Sequence, residues 1–224
     1  MFSMLYATDL WKKTHPGASV GCMIIGNVLN LESCEELENY KRQLEMDLRA
    51  MFISKQQLSG HFPIPIYSDY YKRYKKTYHV LQQLESIVFK ERKIPHVAGL
   101  VEAMFMAELK NGLLTAGHDY DALKLPLKLD SAVGNEKYIL INGKEQVVKP
   151  EDMMISDTAG IISSIIHGPD SRTRLLPETQ KAVFIIYAPA GISKDRIFEH
   201  LSDLYSYAKI VSPDAKIELQ EVYT

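Results

Sequence analysis

"YILINGKEQVV", Tyr138–Val148, is the stretch on which the reading of the fold turns. Two apolar runs flank Asn142-Gly143, a dipeptide suited to the two positive-φ positions of a tight primed turn, and the pattern predicts a β-hairpin. The period of the chain changes around it. Just upstream, "LPLKLD" alternates apolar and polar residues. Downstream, "MMISD" (Met153–Asp157), "GIISSIIHG" (Gly160–Gly168) and "AVFIIYA" (Ala182–Ala188) are short, apolar runs that read as strands.

Further upstream the pattern is mostly helical. "SVGCMIIGNVLNL" (Ser19–Leu31) reads as a strand closed by Gly26 and Asn27. Ser33 with Glu36 three residues on has the form of a capping box, and Leu37, Tyr40, Leu44, Leu48 and Met51 follow at helical spacing. "GHFPIPIY" reads as a non-helical connector because of Pro63 and Pro65. Ser68 then opens a second helix with Tyr71, Tyr74, Tyr78, Leu81 and Val88 on one stripe. Such a stripe fits either stacked bases or a core face with wet hydroxyl tips. A third helix is predicted from Pro95, with Val97, Leu100, Val101, Met104 and Phe105 inward and Asn111-Gly112 as its stop. That leaves "TAGHDYDAL" (Thr115–Leu123) in a loop. Ser193 caps a last helix with Ile197, Leu201, Leu204, Tyr205 and Ala208 inward, and "AKIELQEVY" ends the chain as a strand. Helices, then strands, then a helix imply the α+β class, with helices packed on mixed or antiparallel sheets. One domain is expected over residues 1–224. It comprises a strand and helices to about 112, a β-rich part over 113–190, and a helix and strand over 191–224.

Composition narrows the function classes. The chain has 224 residues, 46% hydrophobic and 24% charged, as in ordinary globular proteins. A net charge of −2 is unlike that of proteins gripping nucleic acid mainly through phosphates, although "KRYKK" (Lys72–Lys76) is locally basic. No segment has the length of a membrane span, and the first residues lack a signal-peptide pattern. A cytoplasmic protein is expected, with neither membrane nor DNA as partner. Cys22 and Cys34 form no disulfide framework and no zinc pattern. There is no phosphate-binding P-loop, no Gly-rich dinucleotide fingerprint and no G-x-S-x-G elbow. No cofactor is expected, and any hydrolysis must use polar groups around a bound water.

Two stretches carry the candidate chemistry. In His118-Asp119-Tyr120-Asp121 a titratable ring stands beside two acids. In "IIHGPDSRTRLLPETQKAVF" (Ile165–Phe184), an apolar strand ends at His167-Gly168-Pro169-Asp170, followed by Arg172, Arg174 and Thr179. Gly168 permits close backbone approach, and the arginines suit a phosphate or carboxylate. Each feature also has a plainer reading. Asp119 or Asp121 caps a short helix beginning at Tyr120, His118 is a bonded core histidine, and Asp170 pairs with Arg172 in a turn. A metal site from His118, Asp119, Asp121, His167 and Asp170 is a third reading.

In order and spacing the two stretches resemble the B3/B4 domain of the phenylalanyl-tRNA synthetase beta subunit. His118 and Asp121 match that domain's first segment. Asp157, Ile165 to Gly168 and Thr179 match its second, within a resemblance covering about residues 94–192. Pro169 stands where the family has a second Gly, and Ile185, Ile186 and Tyr187 stand where it has a Glu. The resemblance implies a B3/B4-like fold and a freestanding editing hydrolase that deacylates mischarged aminoacyl-tRNA by a positioned water, with a synthetase as a possible partner. It assigns catalysis to His118 and to the backbone amides of Gly168 and Asp170. Thr179 and Asp170 read the amino acid, Asp121 also belongs to the substrate site, and Arg172 or Arg174 holds the terminal phosphate. No metal is implied. The alternative is a non-catalytic module that binds tRNA ends or an amino acid.

Overall fold

The computed structural model describes residues 4–224. In chain order the elements are β1 (Leu5–Ala7), α1 (Asp9–Thr14), β2 (Ser19–Gly26), α2 (Glu35–Met51), α3 (Lys55–Gly60), α4 (Ile64–Lys72), α5 (His79–Phe89) and α6 (Gly99–Asn111). There follow β3 (Leu114–Asp119), a one-turn 3-10 helix (Tyr120–Ala122), β4 (Leu127–Ser131), β5 (Lys137–Ile139), β6 (Glu145–Val147) and β7 (Met153–Asp157). The chain ends with β8 (Gly160–Ser164), β9 (Gly168–Pro169), β10 (Lys181–Ala188), α7 (Lys194–Val211) and β11 (Lys216–Tyr223). The class is α+β, as the sequence pattern implies.

Two larger sheets organise the molecule. One is antiparallel, in the order β11-β2-β10-β3. The other, β1-β4-β7-β8-β9, is mixed, because β1 runs parallel to β4 while the remaining pairs are antiparallel. Every residue of β2 is buried, as is all of β10 after Lys181. Their continuous apolar runs reflect cover on both faces, which is why neither shows the alternation of a half-exposed strand. By contrast β4 alternates buried and half-buried positions, as its sequence does.

The helices differ from the sequence reading in instructive ways. Pro65 does not exclude a helix: α4 starts at Ile64, so Pro65 lies in the first turn, where the missing amide costs nothing. The single long helix read from Ser68 is two helices, α4 and α5, broken near Lys75, whose φ is 57°. The cap of α2 is Cys34, without a side-chain hydrogen bond, so Ser33 and Glu36 form no capping box there. The acids Glu35, Glu36 and Glu38 in its first turn supply the favourable charge at that end instead. Helix α6 begins at Gly99, not Pro95, which leaves Val97 outside it and exposed. Gly112 closes α6 with φ 69°, in the left-handed region, as expected. Ser193 caps α7 by accepting from the Arg196 amide. The hairpin of β5 and β6 forms, but its loop is longer than two residues. Leu140 and Lys144 close it, and only Gly143 has positive φ.

The tyrosine stripe is core. Tyr67 and Tyr78 stack with ring centroids 4.6 Å apart. Their hydroxyls donate to the carbonyls of Tyr187 (2.6 Å) and Gly112 (3.1 Å). Tyr71 donates to the carbonyl of Ile165 at 2.6 Å. These rings bury large apolar area while satisfying a backbone acceptor at each tip; they tie α4 to β10 and to the segment after β8, and the start of α5 to the end of α6.

Two glycines mark where helices press closest. A Cβ at Gly21 of β2 would stand 2.5 Å from Cγ2 of Ile197 in α7, and one at Gly99 would stand 2.5 Å from Cγ1 of Val211. Gly21→Ala is expected to cost about 1–3 kcal/mol by overpacking. The midpoint of thermal unfolding, followed by circular dichroism, should drop by about 2–4 °C for each kcal/mol lost. An unchanged midpoint would contradict the close approach of β2 and α7.

Candidate functional site

The first candidate stretch is not a loop. Leu114–Asp119 form β3, the edge of the antiparallel sheet, and His118 lies opposite Val183 of β10. The apolar surroundings of β3 override the polar look of "GHDYD". Asp119 ends the strand and caps the 3-10 turn: its Oδ1 accepts from the Asp121 amide at 2.9 Å, while Oδ2 accepts from Thr179 Oγ1 at 2.6 Å. The capping reading of Asp119 therefore holds, and Asp121 itself is exposed.

The second stretch folds back against the first. The Asp119 amide donates to the carbonyl of Thr173 at 2.8 Å, and the His118 ring meets the same residue through Nδ1, 2.8 Å from Thr173 Oγ1. Thr173 in turn donates both its hydroxyl and its amide to Asp170 Oδ1. Because the threonine hydroxyl gives its one proton to the carboxylate, it accepts from the ring, which assigns the proton to Nδ1. The chain of contacts is thus imidazole, threonine, aspartate. At its open end, His118 Nε2 is buried and has no hydrogen-bond partner among the described residues.

Arg172 clasps this arrangement from the side. Its guanidinium donates to Asp157 Oδ1 at 2.9 Å and to the carbonyl of Ala122 at 2.9 Å, and its Nε lies 3.6 Å from Asp170 Oδ2. Burial would raise the Asp157 carboxyl, but Arg172 and the amides of Lys124 and Ala159 more than offset it, holding the group below its usual range. The Asp170 carboxyl is shifted upward by burial, opposed by the Thr173 donors. The His118 ring is pushed down from 6.5 to about 3, first by burial and then by the Arg172 charge, with Asp157 opposing. Such a ring is neutral at physiological pH and a weak base. It serves better as an acceptor that orients a water than as a group that removes its proton.

Several expected roles fall to other groups. The Asp170 amide donates to the carbonyl of Ile162 at 2.7 Å, so it is not free to stabilise an oxyanion. Gly168, with φ 80°, does occupy the left-handed region that its position requires, and lies in register with Ser164. Thr179 is 2% exposed, and its hydroxyl is engaged both by Asp119 and by the Leu176 amide. Arg172 is spent as a clasp on Asp157 and Ala122, whereas Arg174 is exposed and, among the described residues, bonded to the nearby carbonyl of Ser171. Thr173 is the member that the sequence reading missed. Its only signal was its place between the two arginines.

His167 does not join the cluster. Its Nδ1 faces Lys76 Nζ at 3.3 Å, and burial with Lys76 and Lys149 pushes the ring down to about 4. The five residues of the metal reading therefore do not converge. Among the described residues, donors at metal-ligand spacing occur elsewhere, at Glu38, His96 and Glu102. There the buried Lys41 ammonium already lies 2.9 Å from Glu102 Oε2 and bonds Glu38, so a cation of the protein's own compensates the carboxylates.

No family model matches this chain, and no curated protein matches it either. Among solved structures, an N-terminal fragment of the phenylalanyl-tRNA synthetase beta-subunit from Pyrococcus horikoshii is similar at 12% identity with a TM-score of 0.49, over 97% of this chain and 53% of that one. The chain spans about half the length of that fragment. No helix among the described residues is long and apolar enough to cross a membrane.

The His118 shift has a definite sign. Between about pH 3 and 6.5 the unfolded ring takes up a proton that the folded ring refuses. Its contribution to stability is therefore complete above 6.5 and is lost as pH falls towards 3. In nitrogen-15 NMR the ring should remain the neutral Nδ1–H tautomer down to about pH 4, and Thr173→Val should disturb that tautomer. A ring that titrates near 6.5 in the folded protein would refute the burial.

Proposed function

We propose that the chain is a trans-acting hydrolase that removes the amino acid from mischarged aminoacyl-tRNA. One observation carries the reading. A neutral imidazole is held at Nδ1 by Thr173 and, through it, by Asp170, and its other nitrogen is a buried acceptor without a partner among the described residues. An aminoacyl ester is already activated, so no covalent nucleophile is needed. A water held by His118 Nε2 near the carbonyl carbon meets the requirement for orientation. With a ring this weakly basic, the proton moves by a relay: the ribose hydroxyl next to the ester takes the water's proton as it passes its own to the departing ester oxygen. The order of the motifs around His118, Asp157, Gly168 and Thr179 supports the same substrate class by resemblance.

The residue roles follow from which groups remain uncommitted. Arg174 meets the terminal phosphate, and Asp121, exposed beside the 3-10 turn, meets the α-ammonium. Arg172, Asp170 and Thr179 hold the loop in shape. Because His118 is fully covered, the acyl group reaches Nε2 only once the covering side chains move aside. The same burial favours a second reading, a module that binds the acylated end without hydrolysing it.

The deciding assay incubates the protein with a panel of labelled, mischarged aminoacyl-tRNAs and follows ester loss. At least one ester should disappear well above its spontaneous rate. His118→Ala should slow that reaction by about 10²-fold or more, and Arg174→Ala should chiefly raise KM. If no ester is lost faster than in buffer but the tRNAs are retained in a filter assay, the binding reading replaces the hydrolase.

A further inference from the structure

A recess lies far from His118. It has a volume of about 390 Å³ and sits between the turn after α1, the outer face of α4, the start of β7 and the end of β10. His118 pairs with Val183, whereas the recess is reached at Pro189, six residues further along β10, so about 20 Å separate them at 3.3 Å per residue.

The lining has the make-up of a small-molecule site: mostly apolar, with a few polar groups in fixed places. Pro16, Ala18, Ile66, Met153, Pro189 and Ala190 supply apolar walls. The charge comes from Arg73. Its guanidinium lies over the Tyr70 ring at 4.1 Å and near Tyr74 at 5.6 Å, and it has no carboxylate partner among the described residues. Its Nε donates to the carbonyl of Tyr70 at 3.5 Å, and stacking holds the planar fork with the terminal Nη edge left for a bidentate acceptor. The ring beneath it is itself fixed, because Tyr70 Oη donates to Asp152 Oδ1 at 2.9 Å and accepts from the Met153 amide at 2.8 Å. Asp69, the acid of the lining, is taken by Lys72 at 3.0 Å. His15 forms the back wall, with Nε2 3.3 Å from Ser131 Oγ. Burial and the Arg73 charge push this ring down to about 4, so it adds no second positive charge near neutrality.

We infer that this recess binds a small organic monocarboxylate, its carboxylate on the Arg73 fork and its apolar body against Ile66, Met153 and Pro189. One uncompensated cation matches one negative charge. A phosphate monoester would bring nearly two, and the apolar walls would leave the remainder desolvated.

The test is calorimetric titration with 3-phenylpropionate and hexanoate, with their amides, and with inorganic phosphate. The carboxylates should bind saturably, the amides and phosphate at least about tenfold more weakly, a difference of about 1.4 kcal/mol. Arg73→Gln should weaken the carboxylates by about tenfold or more, while His118→Ala leaves them unchanged. Arg73 is exposed, so the variant should fold, and its circular dichroism melt checks this. Carboxylates and amides binding alike, phosphate binding as well as the carboxylates, an indifferent Arg73→Gln, or no saturation by about 10 mM would each overturn the inference. Loss of deacylase activity in His118→Ala with carboxylate binding intact separates this site from the proposed hydrolytic one.

Discussion

β10 has a partner on both sides. Val183 stands opposite Ile24 on β2 and opposite His118 on β3, and the strand's side chains from Ala182 to Ala188 are buried. Moving it by one residue would turn every one of those side chains to the opposite face. Each buried Val, Ile or Phe contributes about 1.5–3 kcal/mol, against about 1 kcal/mol for a single ladder hydrogen bond. Apolar burial therefore sets the register, and the hydrogen bonds follow it. That register carries His118 to a fixed place at the edge of the sheet.

The polar groups around His118 are arranged so that burial is tolerated. A buried carboxylate without partners is costly. Asp157 is held by Arg172 and by three amides, those of Lys124, Ala159 and Gly160. Asp170 is held by Thr173 and flanked by Arg172. His118 Nε2 is left without a partner among the described residues, as His167 Nε2 also is. A buried acceptor without a partner costs stability, which sets the ring apart from a core histidine bonded at both nitrogens. His200 makes the comparison: it is equally buried, but its Nε2 meets Thr115 Oγ1 at 2.7 Å.

The recess at Arg73 obeys the same logic with the opposite outcome. There the unpaired group is a cation at the surface, where water satisfies it, so it carries no such penalty. Its placement is set by the tyrosines of α4, which are held in turn by backbone acceptors and by Asp152. The tyrosine stripe thus fixes the core on one side and shapes a recess on the other.

Local pattern alone was enough for the class, for β2, β4, β7, β10, α2, α7 and β11, and for the stop at Gly112, because alternation, continuous apolar runs and capping residues act over a few neighbours. It also marked His118, Asp170, Arg172 and Thr179 within two candidate stretches, whereas Asp157 entered only through the resemblance. It misjudged Pro65, whose effect depends on where the helix starts, and the Asn142-Gly143 loop, whose length depends on how the flanking strands meet. It put Thr115–Leu123 in a loop because hydration of a polar segment cannot be judged without knowing what packs upon it. Only the tertiary structure decided that Arg172 clasps Asp157 and Thr179 is buried, that the Asp170 amide is already used, and that Thr173 stands between His118 and Asp170. The His118–Thr173 pairing joins residues 55 positions apart, and separations of that kind are settled by packing, which no short window of sequence contains.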